Sequence, residues 1–100
     1  MDQVLFEAAR LIDEKGHCKN SFTSMGGQYC IEGAIRTVIL GSLYAPLHDY
    51  DRVLEKMEKV YRVIRDIRAD HDPEVWTWND HPDRTKEEVV KVLMEAAEYE

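Results

Sequence analysis

Basic residues are in short supply: 13 Lys and Arg stand against 20 Asp and Glu, a formal net charge of −7. General nucleic-acid binding needs a basic footprint that displaces counterions, and anionic membrane surfaces ask for the same, so both are disfavoured. Long apolar runs are missing as well. None approaches the roughly 20 residues that a bilayer span needs, and no membrane association is expected. Cysteine occurs twice, at Cys18 and Cys30. Two are too few for a disulfide scaffold, and there is no C-x-x-C. The start, "MDQVLFEAAR", has an acid at its second position and no basic stretch before an apolar core. A secretory signal is therefore not expected; the expected compartment is the cytoplasm, which keeps such thiols reduced. No P-loop, G-x-G-x-x-G or H-E-x-x-H appears, and no cofactor is expected.

What is there fits one soluble helical domain over residues 1–100, with 44% hydrophobic and 33% charged residues. In "DQVLFEAARLIDEK", residues 2 to 15, Val4, Leu5, Ala8, Leu11 and Ile12 share one face of a 3.6-residue period. Asp2 can cap this helix and Gly16 can stop it. Residues 17 to 28, "HCKNSFTSMGGQ", read as a loop with a tight turn at Gly26-Gly27. In "YCIEGAIRTVILG", residues 29 to 41, Ile31, Ala34, Ile35 and Val38 align as a helix that Ile39 and Leu40 widen. So apolar a helix is expected at the centre, and the β-branched residues make a strand the alternative. Gly33 costs about 1 kcal/mol in mid-helix, and close approach of a neighbouring backbone or ring is its expected compensation.

Pro46 interrupts the chain before a long helix from about residue 50 to 69, capped by Asp49 or Asp51. Its stripe is Val53, Leu54, Met57, Val60, Tyr61, Ile64 and Ile67, with Glu55–Lys59 and Glu58–Arg62 as favourable i,i+4 pairs. A second loop contains Pro73 and Pro82. Thr85 and Glu88 then form a T-x-x-E capping box, and Val89, Val92, Leu93, Ala96 and Ala97 line the last helix. The expected fold is all-α, a small single-domain bundle of about four helices with two structured loops, packed in an orthogonal or up-and-down manner.

Candidate chemistry is thin. His17, Cys18, Cys30 and His48 are metal-ligand types, but adjacent His17 and Cys18 and the gap to Cys30 match no standard zinc spacing, so no metal is expected. Cys18 and Cys30 read as small buried residues, with a reactive or redox thiol pair as the alternative. No nucleophile stands in a recognisable catalytic setting: His17 adjoins Cys18, but chain neighbours usually point apart. The unusual stretch is "WTWNDHPDRTKEEV", residues 76 to 89. Read as extended chain, Trp76 and Trp78 share a face and seal the end of the bundle. Asn79 and Asp80 make turns, and Asp80 or Asp83 pairs with Arg84. Read functionally, Trp76, Trp78, Asn79, Asp80 and Arg84 form an exposed partner-binding motif, because Trp and Arg dominate interface energies.

Three pieces carry a family resemblance: Gly16, Cys18 and Lys19; Tyr29, Cys30, Gly33, Ala34 and Ile35; and Trp78, Asn79, Asp80, Pro82, Arg84, Thr85, Glu87 and Val89. With its WND-x-P-x-RT motif, the chain resembles a small uncharacterised domain family found in actinobacteria and their phages. Where members often carry tryptophan before the first cysteine, this chain has His17, and its third helix is longer and more charged. The resemblance implies a small helical domain, often phage-encoded, and supplies no activity or catalytic residue.

The leading expectation is a non-catalytic, cytoplasmic, phage-encoded interaction module that contacts a protein partner or itself as a homodimer. Its contact surfaces would be the third helix and the loop from Trp76 to Arg84. The rival is an acidic inhibitor that mimics nucleic acid, resting on the net charge and on "DPEV", "KEEV" and "EAAEYE". A Cys/His metal protein or thiol enzyme is the third reading.

Overall fold

The computed structural model describes residues 1–23, 26–41, 50–67 and 74–99. Asp49, His48, Pro46 and Pro73 therefore lie outside the described residues. The fold is all-α: α1 (Gln3–Lys15), α2 (Ile31–Leu40), α3 (Tyr50–Arg62) continued by a π-turn (Val63–Ile67), α4 (Val75–Asp80) and α5 (Lys86–Glu98). The expected bundle is present. The short α4 lies within the stretch expected to be loop and is an addition within the second connection.

Asp2 begins the structure. Its carboxylate accepts the amide hydrogens of Val4 at 3.1 Å and Leu5 at 3.2 Å, which satisfies donors that the first helical turn leaves free. The same carboxylate takes Lys56 at 2.8 Å and Lys59 at 3.2 Å from α3. Its backbone amide donates to the Ala97 carbonyl of α5 at 2.7 Å. One residue thus ties three helices together. Burial alone would raise the Asp2 carboxyl; hydrogen bonds from Lys56, the Leu5 amide and Lys59 outweigh it and hold the group below its ordinary value. Of the two expected i,i+4 pairs on α3, Glu58–Arg62 forms at 3.2 Å. Lys59 instead turns to Asp2, whose side chain is only 7% exposed, so the charge interaction is less screened there.

α1 packs most extensively against α5 and next against α2. Leu5, Ala8, Ala9 and Ile12 meet Val89, Val92, Leu93, Ala96 and Ala97 in one core with Ile31, Ala34 and Ile35. α2 is well buried, as expected: alone among the described helices it carries no exposed residue. Its first half is buried, but Arg36 to Leu40 are only half-buried among the described residues. α3 adds Val53 and Val60, with Val63 and Ile64 of the π-turn. Its predicted stripe was too wide: Leu54 is 50% exposed.

The loop between α1 and α2 folds back on itself. Gly16 ends α1 at φ 104°, a left-handed value that favours glycine. Cys18 N–H donates to the Tyr29 carbonyl at 3.1 Å, Tyr29 N–H to Gly16 at 3.0 Å and Cys30 N–H to Phe22 at 3.2 Å. This lays the Phe22 backbone directly on α2 at Gly33. A Cβ added at Gly33 would stand 2.0 Å from the Phe22 carbonyl oxygen. The close approach expected at this glycine is therefore made by backbone. Gly33→Ala should lower stability by about 1–3 kcal/mol despite alanine's better helix propensity, because the intruding methyl meets main chain that cannot rotate away. Urea unfolding checks this; a stabilised variant would show that the loop is not seated here.

Candidate functional site

The WND-x-P-x-RT stretch is built on α4. Trp78 N–H donates to the Glu74 carbonyl at 3.1 Å, and Thr77 Oγ1 to the same carbonyl at 2.9 Å. Pro82 disfavours helical backbone at the residue before it, and His81 accordingly leaves the helix at φ −57°, ψ 134°. A turn closed by Arg84 N–H on the His81 carbonyl at 3.0 Å leads into α5. There Thr85 and Glu88 form the predicted capping box.

Because this segment is helical, Trp76 and Trp78 do not share a face. Two residues along a helix are separated by about 200°. Trp78 is 1% exposed and sits in the core; Trp76 is 61% exposed. Alternation over two residues was too short a pattern to distinguish the two geometries. Arg84 stacks its guanidinium 3.8 Å from the centre of the Trp78 ring and donates from Nε to the Trp78 carbonyl at 2.9 Å. Among the described residues it pairs with Glu88 at 3.2 Å, one turn into α5, in place of the expected Asp80 or Asp83.

Asn79 is the centre of the joint and is 2% exposed. Its Oδ1 accepts Ile31 N–H at 3.0 Å and lies 2.8 Å from His17 Nε2. Its Nδ2 donates to the Cys18 carbonyl at 3.2 Å and to Asp80 Oδ1 at 2.8 Å. The backbone partners fix the amide's orientation, since Ile31 offers a donor and Cys18 an acceptor. His17 must then carry its proton on Nε2. Asp80 Oδ1 also accepts Asn20 N–H at 2.8 Å, and Lys19 Nζ donates to the Pro82 carbonyl at 2.9 Å. The three sequence pieces at Gly16–Lys19, Tyr29–Ile35 and Trp78–Thr85 thus meet around one side chain.

Burial pushes the His17 imidazole below its ordinary value of 6.5; Asn79 and Asp80 oppose the shift, while Lys19 and Arg84 add to it. The folded state therefore prefers neutral His17, and the unfolded chain binds more protons as pH falls past 6.5. This part of the stability is complete above that pH and is lost as pH descends through the lower folded value. Unfolding free energy should be smaller at about pH 5.5 than at about pH 7.5, within the range where unperturbed imidazole titrates, and the difference should shrink in His17→Gln. An unchanged difference in that variant would contradict the assignment.

Cys18 and Cys30 are free and buried. Cys18 Sγ donates to the Ser21 carbonyl at 3.4 Å, and Cys30 caps α2 by accepting Gly33 N–H at 3.2 Å. Burial raises Cys18, helped by Asp80, and pushes the Cys30 thiol up to about 11. A thiol so shifted is protonated at neutral pH, the opposite of an activated nucleophile. Among the described residues no group of three His, Cys, Asp or Glu side chains converges to hold a metal ion.

Beside the joint lies an open groove of about 580 Å³ between the first loop, α2, α3 and α4. Phe22, Ile31, Met57, Val75 and Trp76 give it apolar walls, and Glu32 and Asp80 stand along it. A second recess of about 470 Å³ adjoins it and shares Glu32, Met57, Val75 and Trp76; Leu54, Glu58, Tyr61 and Glu74 extend its lining. Phe22 is held in place by Arg36, whose guanidinium lies 4.6 Å from its ring. Of the exposed apolar residues here, Trp76 stands out in the sequence, Phe22 carries no such signal, and the periodicity of α3 points Leu54 inward. The available signal for Leu54 was a stripe wider than one packing face requires.

Residues 1–99 match a family of unknown function, DUF6197. The chain belongs to this family. No curated protein and no solved structure matches it. For a DUF6197 member, the internal bonding of Asn79, Asp80 and Arg84 gives the WND-x-P-x-R residues of this chain a structural job, and the groove beside them is the remaining candidate for recognition.

Proposed function

We propose that this chain is a non-catalytic, cytoplasmic, helical protein-interaction module, encoded by a phage or an actinobacterial host, with the groove between α3 and α4 as its contact surface. The phage or actinobacterial source rests on the resemblance of the motif at Trp78 to Thr85. The observation that carries the interaction role is the clustering of exposed apolar side chains: Trp76, Leu54 at 50% and Phe22 at 44% exposure all border the two adjoining recesses. Exposed aromatic and aliphatic groups gathered on one side of a small domain are a costly arrangement without a partner, and Trp anchors rank among the strongest interface contributors. The polar groups that could have served chemistry are committed elsewhere: His17 and Asn79 to each other and to backbone, and the two cysteines to protonated thiols. The nucleic-acid-mimic reading draws less support, because Glu88 and Asp13 have cationic neighbours in Arg84 and Lys86.

Photo-crosslinking in the native host tests the proposal. A photoreactive residue at position 54 should give a discrete protein adduct, to another chain or to itself, while one at exposed Glu14 should not. Absence of any adduct from position 54 would contradict the reading.

A further inference from the structure

We propose that the groove receives a basic amphipathic segment of another protein, with an apolar side chain lodged beside Trp76 and Lys or Arg side chains set over Glu32, Glu58 and Glu74. This rests on the interaction reading above and adds the chemistry of the partner. Among the described residues, neither recess is lined by a lysine or arginine, whereas carboxylates stand along both. Glu32 meets Arg36 at 3.8 Å and the Tyr50 hydroxyl at 3.3 Å, and Glu58 meets Arg62 at 3.2 Å, so these two acids are held in place with part of their charge offset, while Glu74 and Asp80 add to the negative lining. An ordered carboxylate rim over an apolar floor favours a partner that is cationic and apolar together.

Other occupants fit less well. A second copy would bring the same carboxylates and a net charge of −7 to the contact. Anionic lipid and nucleic acid are repelled by the rim. A small organic cation would fill one recess, but two adjoining recesses that share Met57, Val75 and Trp76 suit a longer ligand. An exposed indole also suits a basic segment, since Lys and Arg pack on its face.

The test uses three synthetic peptides of equal length against the whole chain: an amphipathic Lys/Leu peptide, a Glu/Leu counterpart and a Lys/Ser peptide. Trp76 supplies the fluorescence signal, because Trp78 is sealed in the core. The Lys/Leu peptide should bind at least about tenfold more tightly than either control, a difference of one order in Kd. Trp76→Ser, which removes the fluorophore, and separately the Glu58→Lys/Glu74→Lys double variant, both read by calorimetry, should each weaken it by about tenfold while melting like the parent. Equal binding of all three peptides, or unaltered binding in both variants, would overturn the proposal. If the peptides fail while position 54 still crosslinks to a protein, the partner is not basic and only this inference falls. If both fail, the interaction reading falls with it.

Discussion

Trp78→Ala should lower the free energy of unfolding by about 3–5 kcal/mol, the range for removing a large aromatic side chain from a core. The ring is fully buried and belongs to the cluster built by α1, α2, α3 and α5. It also provides the surface on which the Arg84 guanidinium rests at 3.8 Å. Its loss therefore leaves a cavity and removes the support of the residue that links α4 to Glu88 of α5. In a chain of 100 residues this is a large share of the typical stability of about 5–15 kcal/mol. Urea unfolding should show the midpoint falling sharply. A shift under about 1 kcal/mol, the size of an ordinary surface effect, would show that the indole is not a core residue.

Asn79→Ala is the second large effect, expected at about 2–4 kcal/mol. Alanine loses little apolar contact here; the cost comes from what is left behind. Ile31 N–H, His17 Nε2–H and the Cys18 carbonyl would lose their partner, and an orphaned buried polar group costs about 1–3 kcal/mol, partly relieved by entering water. Asn79→Asp should be damaging too, despite its similar shape, because it replaces the amide donor with an oxygen facing the Cys18 carbonyl and Asp80. Equilibrium unfolding of both variants provides the check. If Asn79→Asp were as stable as the parent, the amide orientation would be wrong.

Much of the helical frame was legible in sequence because it is governed by local rules. Asp2, Gly16 and the Thr85–Glu88 box act within one helical turn, and they stand where expected. The apolar face of α5 follows the 3.6-residue period and is buried as expected; on α1 Leu5, Ala8 and Ile12 are buried and Ala9 joins them, while Val4 and Leu11 are only half-buried. Features that depend on distant partners were harder. Nothing near Lys59 in sequence indicates that Asp2 takes it from Glu55. Arg84 looked suited to Asp80 or Asp83, but those lie in the turn, whereas Glu88 is one helical turn ahead on the same side. The role of Asn79 depends on residues 17, 18 and 31, which are 62, 61 and 48 positions away. The motif was visible, but which of its members face inward was not, because α4 is one short helix between prolines and its two tryptophans fit a strand equally well. Leu54 of the third helix, placed on the inward stripe by its spacing, is exposed.

The central claim is a division of labour within one motif: Trp78 and Asn79 hold the fold, while Trp76 faces the groove. Urea unfolding of Trp76→Ser and Trp78→Ala, measured side by side with the parent, tests this most directly. The account predicts Trp76→Ser within about 0.5 kcal/mol of the parent, as for a surface substitution, and Trp78→Ala lower by about 3–5 kcal/mol. Equal losses in the two variants, or the larger loss in Trp76→Ser, would contradict it.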